Sequence, residues 1–112
     1  MMAGCDKLIG NKTISGEYRS ASEEDAGQVK HESVYDFRSD GTFTMRSSDS
    51  AYGARNVFTG KGTYTIKGRN VKLENTFFAI NDRPMAGVTH ETFLLEQNGD
   101  LITHFGTRLK KQ

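Results

Sequence analysis

A chain of 112 residues is long enough for one hydrophobic core and too short for two ordinary domains. Hydrophobic residues make up 35% and charged residues 26%, the balance of a sheet with one dry and one wet face, and seven Phe and four Tyr in regular patterns argue against disorder. A net charge of +1 with dispersed Lys and Arg leaves no footprint for nucleic acid, and a single cysteine excludes both an internal disulfide and a cysteine-built metal site.

In chain order, residues 1–12 read as an N-terminal segment and tether, and 13–112 as a single β domain. A first strand is expected over 13–19. Residues 21–28 suit one helical turn, with Ser22 as N-cap and Glu23, Glu24 and Asp25 in the first turn. Strands over 29–38 and 42–48 flank Ser39-Asp40-Gly41, where glycine supplies the positive φ of a tight reversal and the aspartate can cap it. Two further strands, 54–59 and 62–67, are separated by Gly60-Lys61-Gly62, a glycine pair suited to a bulge that curves the sheet. Lys67-Gly68-Arg69-Asn70 turns the chain into a strand over 70–75, with 77–80 as an extra one. Asn98-Gly99-Asp100 joins strands over 88–96 and 101–109, and Asn-Gly is a strong short-range hairpin signal.

Within these runs the apolar residues alternate with period two. Tyr35 and Phe37 share a face, as do Phe43 and Met45, Tyr64 and Ile66, and Val71 and Leu73. Short sequential strands joined by short turns pair with their neighbours, and eight of them lose both exposed edges when the sheet closes on itself. The expected fold is therefore all-β, an antiparallel up-and-down meander barrel of about eight strands, with a two-sheet β-sandwich as the alternative. The longer connections, 20–28, 47–53 and 81–87 with the sole proline Pro84, are where functional variation is expected.

Candidate chemistry is sparse. His31, His90 and His104 stand at no metal-motif spacing and read as solvated strand positions. Ser47-Ser48-Asp49-Ser50 lacks the Gly-x-Ser-x-Gly elbow of a nucleophile. Carboxylate pairs such as Asp36 and Asp40, or Glu91 and Glu96, fit exposed strand and turn positions. No catalytic residue, metal or cofactor is expected, and the chain reads as a non-enzymatic binding module. Tyr35, Phe37, Phe43, Tyr64, Phe77 and Phe93 form the expected core. A barrel of eight strands is just wide enough to be filled by its own side chains. In the alternative, Tyr35, Phe37, Phe43, Tyr64 and Phe93 line a small apolar pocket.

Several segments carry resemblances. Ile14-Ser15-Gly16-Glu17-Tyr18, then Val34-Tyr35-Asp36-Phe37-Arg38-Ser39-Asp40-Gly41-Thr42-Phe43, Gly62 to Leu73, Leu101 and Gly106-Thr107-Arg108-Leu109-Lys110-Lys111 together resemble small bacterial lipocalin-like (calycin-like) domains. The resemblance runs from about residue 13 to 111, and Tyr18 stands roughly where lipocalins carry a tryptophan. It implies an up-and-down barrel, often on a secreted lipoprotein, with a small apolar ligand or a protein as partner and the monomer as the expected state.

Met2-Ala3-Gly4-Cys5 resembles a bacterial lipobox, although no charged n-region or apolar h-region precedes it. That resemblance implies a lipid anchor on Cys5, membrane attachment through the anchor alone, and a periplasmic-side envelope address; a cytoplasmic or secreted soluble protein is the alternative. Asp6 after the cysteine resembles the inner-membrane retention signal of enteric bacteria. Finally, Ser48 to Arg55 and Thr65-Ile66-Lys67-Gly68 loosely resemble the two inhibitory segments of membrane-bound C-type lysozyme inhibitors. This implies, as the alternative function, an inhibitor presenting Ser50 and Lys67 to an acidic enzyme site.

Overall fold

Backbone reversals at residues that tolerate positive φ cut the chain into strands. The protein is described by a computed structural model covering residues 14–104 and 106–112. Its strands are β1 Gly16–Glu24, β2 Val29–Phe37, β3 Thr42–Ala51, β4 Ala54–Lys67, β5 Asn70–Ile80, β6 Arg83–Met85, β7 Thr89–Leu95, β8 Leu101–Ile102 and β9 Arg108–Lys111. All pairings are antiparallel between neighbours, and the ring runs β1-β2-β3-β4-β5-β7-β8-β9 and back to β1 through Lys110↔Arg19 and Lys111↔Tyr18. The fold is a closed eight-strand meander barrel, with β6 as one extra strand on β5.

The expected turn chemistry is visible where it was placed. Gly41 has φ +90°, and Asp40 Oδ1 accepts from the Thr42 amide at 3.0 Å and the Thr42 hydroxyl at 2.6 Å. Gly68 carries φ +63° at the first position of a two-residue loop, and Gly99 has φ +94° beside Asn98. The bulge expected at Gly60-Lys61-Gly62 lies instead on the facing strand: Lys61 pairs with Phe77 and Gly62 with Asn75, which leaves Thr76 of β5 as the extra residue.

Several boundaries differ from the sequence reading: the first strand is Gly16–Glu24 rather than 13–19, and the 42–48 strand runs on to Ala51, which reduces the expected 47–53 connection to Tyr52-Gly53. Residues 21–28 form no helical turn: β1 stays paired with β2 up to Glu24↔Val29, and Asp25, Ala26 and Gly27 reverse with φ of 56°, 55° and 87°, outside the right-handed helical region. Residues 54–59 and 62–67 are one strand, because Gly60, Lys61 and Gly62 stay paired with β3 without interruption and the bulge falls on β5. Residues 77–80 continue β5. Residues 101–109 instead split into β8 and β9 around a turn in which Thr103 donates to Thr107 at 2.8 Å and Gly106 has φ +83°. One merger and one split compensate, so the ring still numbers eight.

Strand β6 follows a two-residue loop, Asn81-Asp82, with φ of 51° and 66°. Asn81 makes that turn hold: its amide donates to Val57 O at 2.7 Å and its Oδ1 accepts from Val57 N at 2.8 Å. Pro84 sits on this outer strand, where a missing donor is harmless.

The core occupies one end of the barrel. Tyr18, Tyr35, Phe37, Phe43, Tyr64, Ile66, Val71, Leu73, Phe93, Leu101 and Leu109 form a single buried cluster. Its rings meet edge to face: Tyr18–Phe37 at 5.6 Å, Phe37–Tyr64 at 5.1 Å and Tyr35–Phe93 at 5.1 Å. Such pairs contribute roughly 0.5–1.5 kcal/mol each beyond area burial. Phe77, expected in this core, is 39% exposed, because the bulge shifts β5 and turns its ring outward under Lys61.

Gly62 is the tightest point of the wall. A Cβ there would lie 1.8 Å from Glu74 O and 2.9 Å from Glu74 C, both backbone atoms of β5. Gly62→Ala is expected to destabilise the fold by about 3 kcal/mol. Gly99→Ala meets no atom within 4 Å and is expected to cost about 1 kcal/mol through its positive φ alone. Urea denaturation of the two variants checks this ranking.

Candidate functional site

One step above the aromatic floor, the inward positions change from apolar to polar. On β2 the inward sequence runs Phe37, Tyr35, Ser33, His31, and on β3 the facing residues are Phe43, Met45, Ser47, Asp49. The cross-strand partners are joined by side chains as well as backbone. Ser33 Oγ lies 2.7 Å from Ser47 Oγ, and His31 Nδ1 lies 2.8 Å from Asp49 Oδ1. Ser47 Oγ also donates to Glu32 O at 3.0 Å. The hydrogen bond to Asp49 raises the pKa of His31, aided by the charges of Asp49 and Glu24.

The opposite wall is shorter. β8 is only Leu101–Ile102, whereas β2 and β3 remain paired as far as Val29↔Ala51. The long strands therefore rise past the closed ring and leave its mouth open on the β7–β9 side, consistent with overall dimensions of 56 × 32 × 19 Å. Two cavities lie at this mouth. One, of about 320 Å³, is lined by Ser33, Tyr35, Ser47, Glu91, Phe93 and His104 among others. The second, of about 490 Å³, has Met45, Asn75, Phe78, Thr89, Glu91 and His104 in its wall. Glu91 and His104 belong to both, so the two spaces meet at one carboxylate.

Glu91 reaches this place by strand phase. On β7 it is two residues before Phe93 and shares its inward face, opposite Leu73 of β5. The earlier expectation of an exposed Glu91 is thereby corrected: its Oε1 is sealed from solvent and has no hydrogen-bond partner among the described residues. Burial raises the Glu91 pKa, opposed by the Asn75 and Tyr35 side chains and by His104. Tyr35 responds in turn, its hydroxyl pKa raised by burial and by the neighbouring carboxylate.

Asn75 is the companion of Glu91. It is 4% exposed, in phase with Val71 and Leu73 on β5, and its Oδ1 is likewise without a partner among the described residues. Gly60 leaves the room beside it, since a Cβ there would lie 3.2 Å from Asn75 Oδ1 and 3.5 Å from Met45 Cε. Both residues have a sequence signal: each is a polar side chain on an otherwise apolar strand phase.

Of the aromatic residues singled out from sequence, Tyr35 and Phe93 form part of the smaller cavity's floor. Phe37, Phe43 and Tyr64 lie deeper, packed on one another at 5.9 and 5.1 Å. The Tyr64 hydroxyl is spent on the backbone, 2.6 Å from Arg38 O and 2.7 Å from Ile14 O. Ser50 and Lys67 are not brought together. Ser50 pairs with Arg55 near the tip of β3–β4, and Lys67 pairs with Asn70 at the other end of β4. Twelve residues of strand separate Arg55 from Lys67, roughly 40 Å at about 3.3 Å per residue. Cys5 lies outside the described residues. His90 faces Glu74 at 3.9 Å. Among the described residues no group of three or more His, Cys, Asp or Glu side chains is placed to hold a metal ion.

Comparison with protein-family models, with curated proteins and with solved structures returned no match. What the chain shows by itself is a small eight-strand antiparallel β-barrel with a buried aromatic core and a polar, half-open mouth.

The raised pKa of Glu91 has a definite sign in stability. The neutral carboxyl is favoured in the fold, so its contribution is complete below the ordinary carboxylate pKa and is lost as pH rises through the folded value. Melting temperatures of the wild type and Glu91→Gln, compared from about pH 4 to about pH 8, are expected to diverge in favour of the variant as pH rises. A pH-independent difference would contradict this account of Glu91.

Proposed function

We propose that this chain is a non-enzymatic binding module that takes a small ligand at the mouth of the barrel. The observation that carries the reading is the pair of joined cavities meeting at Glu91, above a floor already filled by aromatic rings. Concave spaces with mixed apolar and polar lining and a few convergent polar groups are what small-molecule sites are made of. Met45, Phe78 and Phe93 supply the apolar part, and Glu91, Asn75, Ser33 and Ser47 supply the polar part. The closed eight-strand meander is also the architecture implied by the lipocalin-like resemblance, and supports a kinship with such binding barrels.

The neutral fluorophore N-phenylnaphthylamine tests the site. It is expected to brighten on binding the wild type, with saturable behaviour, and Ser47→Phe, which places a ring in the mouth, is expected to weaken binding about tenfold or more. Binding unaffected by Ser47→Phe, or none to the wild type, would overturn the assignment.

The same proposal gives the barrel a bacterial envelope address, on the periplasmic side, as a monomer anchored by lipid on Cys5. Its support is the Met2-Ala3-Gly4-Cys5 segment. Mass spectrometry of protein extracted from the membranes of a bacterial host is expected to find a diacylglyceryl adduct on Cys5 that Cys5→Ser removes. An unmodified soluble chain would refute the address and leave the ligand site untouched.

A further inference from the structure

We infer that the ligand class of the mouth is a small organic cation, an alkyl- or arylalkylammonium whose charged head pairs with the Glu91 carboxylate beside Asn75. The inference rests on the reading of the mouth as a ligand site and adds the chemistry of the occupant. It starts from the kind of group left unsatisfied. Glu91 Oε1 and Asn75 Oδ1 are both acceptors, both buried, and both without donors among the described residues. A buried polar atom in that state costs free energy until something pairs with it. A molecule that completes the site must therefore bring hydrogens to donate, and at least two of them.

The donor inventory narrows the class. A hydroxyl brings one hydrogen, whereas an ammonium brings three in a compact tetrahedral head. A carboxylate or phosphate brings none and would face the Glu91 charge directly. An ammonium also adds an opposite charge at the Glu91 carboxylate beside that of His104, and charge-assisted hydrogen bonds are the stronger kind.

The space matches the rest of such a molecule. The cavity that Asn75 and Glu91 help to line holds about 490 Å³, with Met45 and Phe78 as apolar wall, and Phe78 is backed by Phe58 at 6.3 Å. A methionine thioether and an aromatic ring suit a hydrocarbon tail of variable shape. The adjoining cavity offers the Ser33 and Ser47 hydroxyls, which accept as well as donate, for the head's third hydrogen. A proton on Glu91, donated to Asn75, is the smallest group that would satisfy the same two atoms, but it leaves the cavity without an occupant.

Three probes of equal length separate these readings. The full chain is titrated with hexylammonium, hexanol and hexanoate and followed by amide and side-chain NMR. Hexylammonium is expected to shift Asn75 and the residues around Glu91 saturably, and to bind at least about tenfold more tightly than hexanol, with hexanoate weakest. Glu91→Gln is expected to remove that advantage. Equal affinity for hexylammonium and hexanol, or tighter hexanoate, would overturn the cation assignment and still support a ligand site at the mouth. If no probe shifts the mouth of the wild type, both readings fail. The probe ranking on the wild type decides the question even if the variant does not fold.

Discussion

Phe37 lies edge-on to Tyr18 of β1 and to Tyr64 of β4, and tilts against Phe43 of β3. One ring on β2 thus ties four consecutive strands together at the closed end of the barrel. The two-residue seam between β1 and β9 would be a weak closure by backbone bonds alone. It holds because Tyr18 and Leu109, beside that seam, are both buried in the same cluster. Side-chain packing closes this sheet, and the hydrogen bonds of the seam satisfy the edges that packing brings together.

Filling that end determines where free volume remains. An eight-strand ring has little interior to spare, and here the spare volume is displaced to the open end, where β1 to β5 outgrow β7 to β9. The Ser33–Ser47 and His31–Asp49 pairs show how the tall wall stays ordered without apolar packing. Each is a cross-strand side-chain pair laid over a backbone pair. At the far tips, Tyr52 donates its amide to Gln28 O at 2.9 Å and its hydroxyl to Asp25, so the β1–β2 and β3–β4 turns brace one another.

The mouth is the part of the molecule that stability alone does not explain. A core position holding Glu91 beside Asn75, with an unpaired oxygen on each, is worse for folding than two aliphatic residues of similar size. Such a cost on a rigid strand framework is characteristic of sites that bind, because the same unpaired groups are what a ligand can complete.

Much of this architecture is legible in the residues alone. Period-two alternation marks the inward faces of β2 to β5, and Asp40-Gly41, Gly68 and Asn98-Gly99 mark three reversals, because both signals are local: a pleat and a positive φ need no distant partner. Reversals without that signature, Tyr52-Gly53 and Asn81-Asp82, escape such a reading, since a non-glycine residue with positive φ is held there by bonds to Gln28 and Val57 far along the chain. The candidate site escapes it for the same reason. Glu91 and Asn75 stand sixteen positions apart, on strands that are neighbours only because β6 steps aside and lets β7 pair with the first half of β5. The sequence by itself determined an all-β meander with an aromatic core, because strand period and turn geometry are properties of short segments. Only the tertiary structure decided that two polar residues share a buried cavity, because burial and proximity across a ring depend on which strands close it.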